Sequence, residues 1–182
     1  MTITFHANGK IEGLNNANYH ESFTAGQIIQ AGVHEISPTF KATAGSFSAN
    51  TTPTSAATYS IVGGNWTVTR KSTSSKMIGL FSGHVDAYNH SSGRPSIIAI
   101  TEGVGSRTAV FGSAYRHIRV SHDEPLAWTF GWVDDFSTQT NSAVPAYSVR
   151  CHSSGDGLGF GTRNDGSTRH WPCKVLYWEV AV

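Results

Sequence analysis

Charged side chains are scarce in this chain. Lys, Arg, Asp and Glu make up 14% of its 182 residues, and the formal net charge is only +1. Electrostatic binding to nucleic acid or to an anionic membrane requires clustered Lys and Arg, so neither is expected as a partner. No apolar run is long enough to span a bilayer, and Met1–His6 lacks the basic and apolar regions of a signal peptide. We therefore expect a soluble protein that is made in a cytoplasm.

Cysteine is also rare. Cys151 and Cys173 lie in separate segments, without a CxxC spacing. Two buried, reduced thiols in neighbouring strands are the favoured interpretation, and a disulfide between them is the alternative. A zinc site would need two further ligands, and His152 and His170 merely lie nearby in the sequence. We expect no metal site here.

Helical periodicity is missing, and alternation with a period of two recurs instead. Trp66 and Val68 share one face of a predicted strand, and Tyr147 and Val149 alternate in another. Turns rich in Gly, Asn and Ser separate these segments. The pattern predicts an all-β fold, an antiparallel, jelly-roll-like β-sandwich. The predicted strands cover residues 27–36, 60–70, 77–88, 96–102, 108–115, 117–121, 126–135, 146–152, 157–163 and 173–181.

The first thirty residues follow a different pattern. Phe5, Ile11, Leu14 and Tyr19 are spaced too irregularly for a strand or a long helix. Such residues are typical anchors on a polar segment that docks on another surface. The alternative is a strap over the chain's own sandwich. We therefore predict a short, irregular N-terminal docking arm at residues 1–30 and a sandwich domain at residues 31–182.

Candidate metal ligands occur in one segment. At strand spacing, His84, Asp86, Tyr88 and His90 would lie on one face. Alternate side chains of a strand are about 7 Å apart, however, which leaves most of the coordination to other strands. Solvated histidines near a turn are therefore the favoured interpretation, and no metal is expected.

Catalytic signatures are weak. Asp134 and Asp135 are adjacent, so a strand would place them on opposite faces, where they cannot flank one bond. There is no GxSxG nucleophile motif, and the glycines of Gly155–Gly161 alternate as in a strand instead of opening a helix. We expect neither an enzyme nor a bound cofactor.

Two groups of aromatic residues have more than one interpretation. Trp128, Trp132 and Tyr147 are expected in the core, and the alternative is a surface whose rings stack on a glycan. Tyr177 and Trp178 lie in the closing strand. They would either belong to the core or be exposed in a monomer and buried at the interface of a trimer.

Six segments of the chain carry a resemblance to one class of proteins. They are His6–Asn16, Thr58–Ser60, Trp66–Thr69, the turn Ser72–Lys76, Val133–Ser137 and the closing Val175–Val180. The chain from about residue 58 to residue 182 thereby resembles a β-sandwich module of tailed-bacteriophage virion proteins. The resemblance implies a trimeric sandwich on the outside of a virion, in tail fibres or on the capsid, without catalysis.

The absence of internal repeats bears on the choice between fibre and capsid. A fibre shaft would require heptads, collagen-like triplets or stacked β-repeats, and none is visible. We therefore expect a homotrimeric capsid decoration (cement) protein that binds the major capsid protein at the outer surface of the virion. A tail-fibre or tail-tip protein for host recognition is the alternative, and weak binding to a bacterial surface glycan is a secondary hypothesis.

Overall fold

The computed structural model describes residues 4–5, 11–12, 25–42, 60–87, 94–103, 109–118, 126–136, 144–153, 157–162 and 172–182. Strands dominate these ranges, and none of them contains a helix that could cross a membrane. The strands are β1 (Thr4–Phe5), β2 (Ile11–Glu12), β3 (Ile28–Ile36), β4 (Thr39–Ala42), β5 (Ser60–Thr67), β6 (Ser75–Ala87), β7 (Arg94–Glu102), β8 (Val110–Ile118), β9 (Leu126–Asp134), β10 (Ala146–Ser153), β11 (Gly157–Phe160) and β12 (Cys173–Ala181).

The strands form two antiparallel sheets that pack together, as the sequence predicts for a β-sandwich. The first sheet has the order β5-β10-β7-β8. The second has the order β3-β12-β6-β11-β4. In addition, β9 pairs with β6 along the edge opposite to the one that bonds to β12. The strands β1 and β2 pair with each other, with Phe5 opposite Ile11.

Strict alternation in β9 shows how the sequence builds the core. Trp128, Phe130, Trp132 and Asp134 are buried, and the residues between them are exposed. Side chains of successive strand residues point to opposite faces, so one face of β9 is directed at the other sheet. Tyr147 of β10 meets this face, and its ring centroid is 5.2 Å from that of Trp132.

Most of the predicted strands match the observed ones. The predicted segments 108–115 and 117–121 are joined by one continuous strand, β8 (Val110–Ile118). The short strands β1, β2 and β4 were not predicted, and the expectation that Phe5 and Ile11 lie in no strand was wrong. The predicted sandwich domain starts at residue 31, but hydrogen bonds to the second sheet begin earlier. The Gly26 amide donates to the Ala181 carbonyl, and the Ala181 amide donates to the Gln27 carbonyl. Within the predicted arm, Leu14 and Tyr19 lie outside the described residues.

Both cysteines are free and buried, as predicted. They do not lie in neighbouring strands, because Cys151 belongs to β10 of one sheet and Cys173 to β12 of the other. The Cys173 thiol donates a 3.3 Å hydrogen bond to the His84 carbonyl. Burial raises the pKa of this thiol to about 12, so the reactive thiolate is disfavoured.

Hydrogen bonds to a buried carboxylate fix the segment that connects β5 to β6. Glu179 of β12 is fully buried, and its Oε1 accepts hydrogen bonds from the Ser72 amide at 3.0 Å and the Ser75 hydroxyl at 2.6 Å. Its Oε2 accepts from the Lys71 amide at 2.8 Å and from Gln30 Nε2 at 2.7 Å. The Ser/Thr-rich turn therefore surrounds an acceptor on the closing strand, which compensates for the burial of its charge.

Candidate interaction surface

The alternation of β12 divides its side chains between two environments. Val175 and Glu179 are fully buried and face the other sheet. The side chains of Leu176 and Trp178, at the intervening alternate positions, point away from the core and are partly exposed. They lie on the outward surface of the second sheet, which we call the outer face.

The register of four neighbouring strands makes the outer face apolar over two adjacent rows. The first apolar row crosses β3, β12, β6 and β9 with Ala31, Trp178, Ile78 and Val133. The second apolar row crosses the same strands with Val33, Leu176, Leu80 and Gly131. No charged side chain interrupts either row.

Solvent reaches both margins of these rows. Val33 is 50% exposed on the β3 side and Val133 is 52% exposed on the β9 side. Ile28, which pairs with Val180 at the end of β3, is 56% exposed. Single exposed apolar residues are common on proteins, but a contiguous apolar patch marks an interaction site.

Polar residues border the apolar rows at one end. This polar row continues the same register with Glu35, Lys174, Ser82 and Thr129. Lys174 Nζ lies 2.9 Å from Glu35 Oε1, and this hydrogen bond and charge lower the pKa of the Glu35 carboxyl. Both side chains are well exposed, so the pair contributes little to stability but marks the limit of the apolar area.

The two aromatic residues predicted at a trimer interface lie on opposite faces of β12. Tyr177 packs against the core, and its ring covers Gly32, where a Cβ atom would collide with the Tyr177 hydroxyl. Trp178 lies in the middle of the first apolar row. Of the two, Trp178 alone is placed where a second protein could contact it on the outer face.

The three residues considered for glycan contact are core residues. Trp128 and Tyr147 are completely buried, and Trp132 is 2% exposed. Trp132 and Tyr147 pack against each other, and Trp66 lies against Tyr147 with ring centroids 5.4 Å apart. A sugar cannot reach the faces of these rings in the folded protein.

The adjacent carboxylates Asp134 and Asp135 face opposite sides, as predicted, and Asp134 has a structural role. Its Oδ1 accepts a 2.8 Å hydrogen bond from the Phe136 amide, and its Oδ2 accepts a 3.0 Å bond from the Tyr147 hydroxyl. Burial raises the pKa of Asp134, and burial next to this carboxylate also raises the pKa of Tyr147. The Asp134–Tyr147 bond joins the two sheets.

His84 and Asp86 are two positions apart in β6, which places them on the same side of the strand, as predicted. Asp86 is buried. The other two members of the candidate metal set, Tyr88 and His90, lie outside the described residues. Among the residues that are described, no group of three or more His, Cys, Asp and Glu side chains could hold a metal ion.

The sequence contained a signal for the outer face that periodicity alone could not resolve. Leu176 and Trp178, like Ile78 and Leu80 on β6, belong to segments with apolar residues at both alternating positions. That pattern predicts a strand covered on both sides, but it does not identify the covering partner. No protein-family model matches the chain, and no curated protein matches it.

Proposed function

We propose that the protein is a structural component of a tailed-phage virion, a capsid decoration protein that binds without catalysing a reaction. It would act as a homotrimer on the outer capsid surface, with the major capsid protein as its partner. The observation that carries the proposal is the outer face, because two uninterrupted apolar rows on a sheet suit burial against another protein. The resemblance to virion modules supplies the biological setting.

The sandwich supports this role by its rigidity. The two sheets share an aromatic core, and the Asp134–Tyr147 hydrogen bond and the Glu179 network tie strands that are distant in sequence. A rigid body loses little conformational entropy on binding. Several weak contacts made by one rigid oligomer then give a long-lived attachment, and binding to the assembled shell alone stabilises that shell.

Recognition of a bacterial glycan through Trp128, Trp132 and Tyr147 is not part of this proposal. Their rings fill the core, so the surface that the hypothesis required is not formed by these residues. The proposal therefore concerns protein–protein contacts.

The copy number of the protein in purified virions tests the proposal. Quantitative mass spectrometry would compare its peptides with those of the major capsid protein, and an abundant host protein would provide the contamination baseline. Hundreds of copies per particle are expected for a decoration protein. A few to a few dozen would identify the tail protein that is the alternative, and a level at the host baseline would refute a virion role.

A further inference from the structure

We propose that the outer face binds the outer face of a second copy, around a two-fold axis that runs parallel to the strands. This inference rests on the self-association that is part of the proposed function, and it adds a second, two-fold contact to the proposed homotrimer. A two-fold contact uses the same patch on both copies, whereas a three-fold contact joins two different patches. A homotrimer would therefore need a further surface, and both contacts together would give six copies.

The shape of the outer face fits another sheet. Four adjacent strands present side chains from one broad surface. Sheets pack face to face at a distance of about 10 Å, with their strands close to aligned. A second copy supplies such a surface with the same apolar rows.

The residue sizes at the margins of each apolar row allow the face to pack against itself. The proposed axis reverses the order of the strands, so β3 of one copy lies over β9 of the other and β12 lies over β6. In the first apolar row, Val133 then lies over Ala31 and Trp178 over Ile78. In the second, Val33 lies over Gly131 of the other copy. Each valine at the margin faces a residue with little or no side chain.

The charged residues at the border are compatible with the same arrangement. Across the axis, Lys174 lies over Ser82, and Glu35 lies over Thr129. No two like charges of the polar row are opposed, and opposed like charges would cost several kcal/mol. Lys76 lies over Val180, where its aliphatic stem can pack.

The size of the face sets the expected strength of the contact. A fourth row, with Ile28, Val180 and Lys76, continues the register beyond the first apolar row. Strands are about 4.8 Å apart and alternate residues about 6.8 Å apart, so four strands and four rows cover roughly 19 Å by 27 Å. The projected area is about 500 Å², compared with about 800 Å² of accessible surface per partner in a standard interface. We therefore expect reversible association, with a dissociation constant in the micromolar range.

Sedimentation equilibrium of the full chain over a range of concentrations tests the contact. With increasing concentration, the mass of the wild-type protein should rise from that of a monomer to that of a dimer, or from that of a trimer to that of a hexamer. Val133→Lys places a charge over Ala31 and should weaken association by at least about ten-fold. Val144→Lys is the matched control, because Val144 is 46% exposed and lies outside the apolar rows. Val33→Lys repeats the test from the other margin of the face if Val133→Lys does not fold.

A mixing experiment tests the register. Ala31→Glu and Val133→Lys should each weaken association alone, because each leaves a charge facing an apolar residue. When the two variants are mixed, the opposite charges face each other, and association should return. The two positions belong to strands separated by β12 and β6, so they cannot compensate within one chain.

The outcomes separate this inference from the proposed function. A monomer at high concentration, a fixed mass of three copies, or equal behaviour of Val133→Lys and Val144→Lys would overturn the paired outer faces. Failure of the mixed variants to associate would overturn the two-fold register. None of these results changes the copy number in virions, which tests the proposed function separately.

Discussion

The Ser75 hydroxyl donates a 2.6 Å hydrogen bond to Glu179, and the two residues are 104 positions apart in the sequence. This bond connects the Ser/Thr-rich turn to the closing strand. With the Lys71 and Ser72 amides, it makes the Glu179 carboxylate the centre of a buried network. The first prediction concerns that centre.

Replacement of Glu179 by Gln should lower the free energy of unfolding by about 2 to 3 kcal/mol, because hydrogen bonds to a charged acceptor are lost and an amide group would face the Lys71 and Ser72 donors. Urea denaturation followed by circular dichroism measures the change. Glu35→Gln is the control, because it removes a carboxylate from an exposed ion pair and should have little effect. Equal effects of the two substitutions would contradict a structural role for the Glu179 network.

Substitution of Gly79 by Ala should destabilise the protein by about 1 to 3 kcal/mol. A Cβ atom at Gly79 would overlap the Trp132 indole and the Leu176 carbonyl. Gly131→Ala is the matched control on the paired strand, where the nearest atom to a new Cβ would be 3.8 Å away. Both variants should be compared by thermal unfolding at a concentration where the protein is dissociated. A smaller effect at Gly79 than at Gly131 would show that Trp132 can move.

Stability should decrease as the pH falls below about 6.5, partly because of His34. Burial lowers the pKa of His34, and burial lowers that of His152 too. The unfolded chain therefore binds protons before the folded protein does, so stability is lost as the pH falls from 6.5 through the lower folded pKa. The raised pKa of Asp134 acts in the opposite direction, because its contribution increases as the pH falls.

A His34→Phe variant isolates the first of these contributions. The His34 ring stacks on Trp66 with centroids 4.6 Å apart, and its buried Nε2 has no hydrogen-bond partner among the residues that the structure describes. Phenylalanine keeps the stacking and removes the titrating group. Urea midpoints at about pH 7.5 and pH 5.5 should differ less for this variant than for the wild type. An unchanged difference would assign the pH dependence to other groups.

Deletion of residues 1–20 should leave a folded protein that still self-associates but no longer joins virions. The reason is that, among the described strands, β1 and β2 form a two-stranded sheet of their own, with Phe5 opposite Ile11. Incorporation of the truncated and full-length proteins can be compared on particles that lack the protein. Retained incorporation would contradict the docking role predicted for the arm, and loss of folding would favour the strap.

Alternation predicted the sandwich well where one face of a strand is buried. In β9 each buried residue from Trp128 to Asp134 is followed by an exposed one, so periodicity and structure agree. The break predicted at Arg116 was wrong because the pairing of β8 with β7 continues through it, with Arg116 opposite Ser96. The strand β4 (TFKA) alternates polar and apolar residues, but it is only four residues long, which is the lower limit at which alternation indicates a strand.

The candidate surface could be predicted only in part. The apolar residues of β12 indicated two covered faces, but which of Tyr177 and Trp178 points outward depends on the register with β6 and β3. A shift of one residue would exchange their environments. The partners in a row, such as Ala31 and Val133, come from strands about a hundred residues apart, and local sequence patterns carry no information about such neighbours.

The central position of β12 also has a consequence for synthesis on the ribosome. β3 and β6 do not pair with each other, because β12 lies between them and bonds to both. The Gln30 side chain can form its hydrogen bond only after Glu179, 149 residues later, has been synthesised. A nascent chain that has emerged only as far as β11 therefore exposes two unpaired strand edges, which are sites for aggregation. We therefore expect this sheet to close only after β12 has been synthesised.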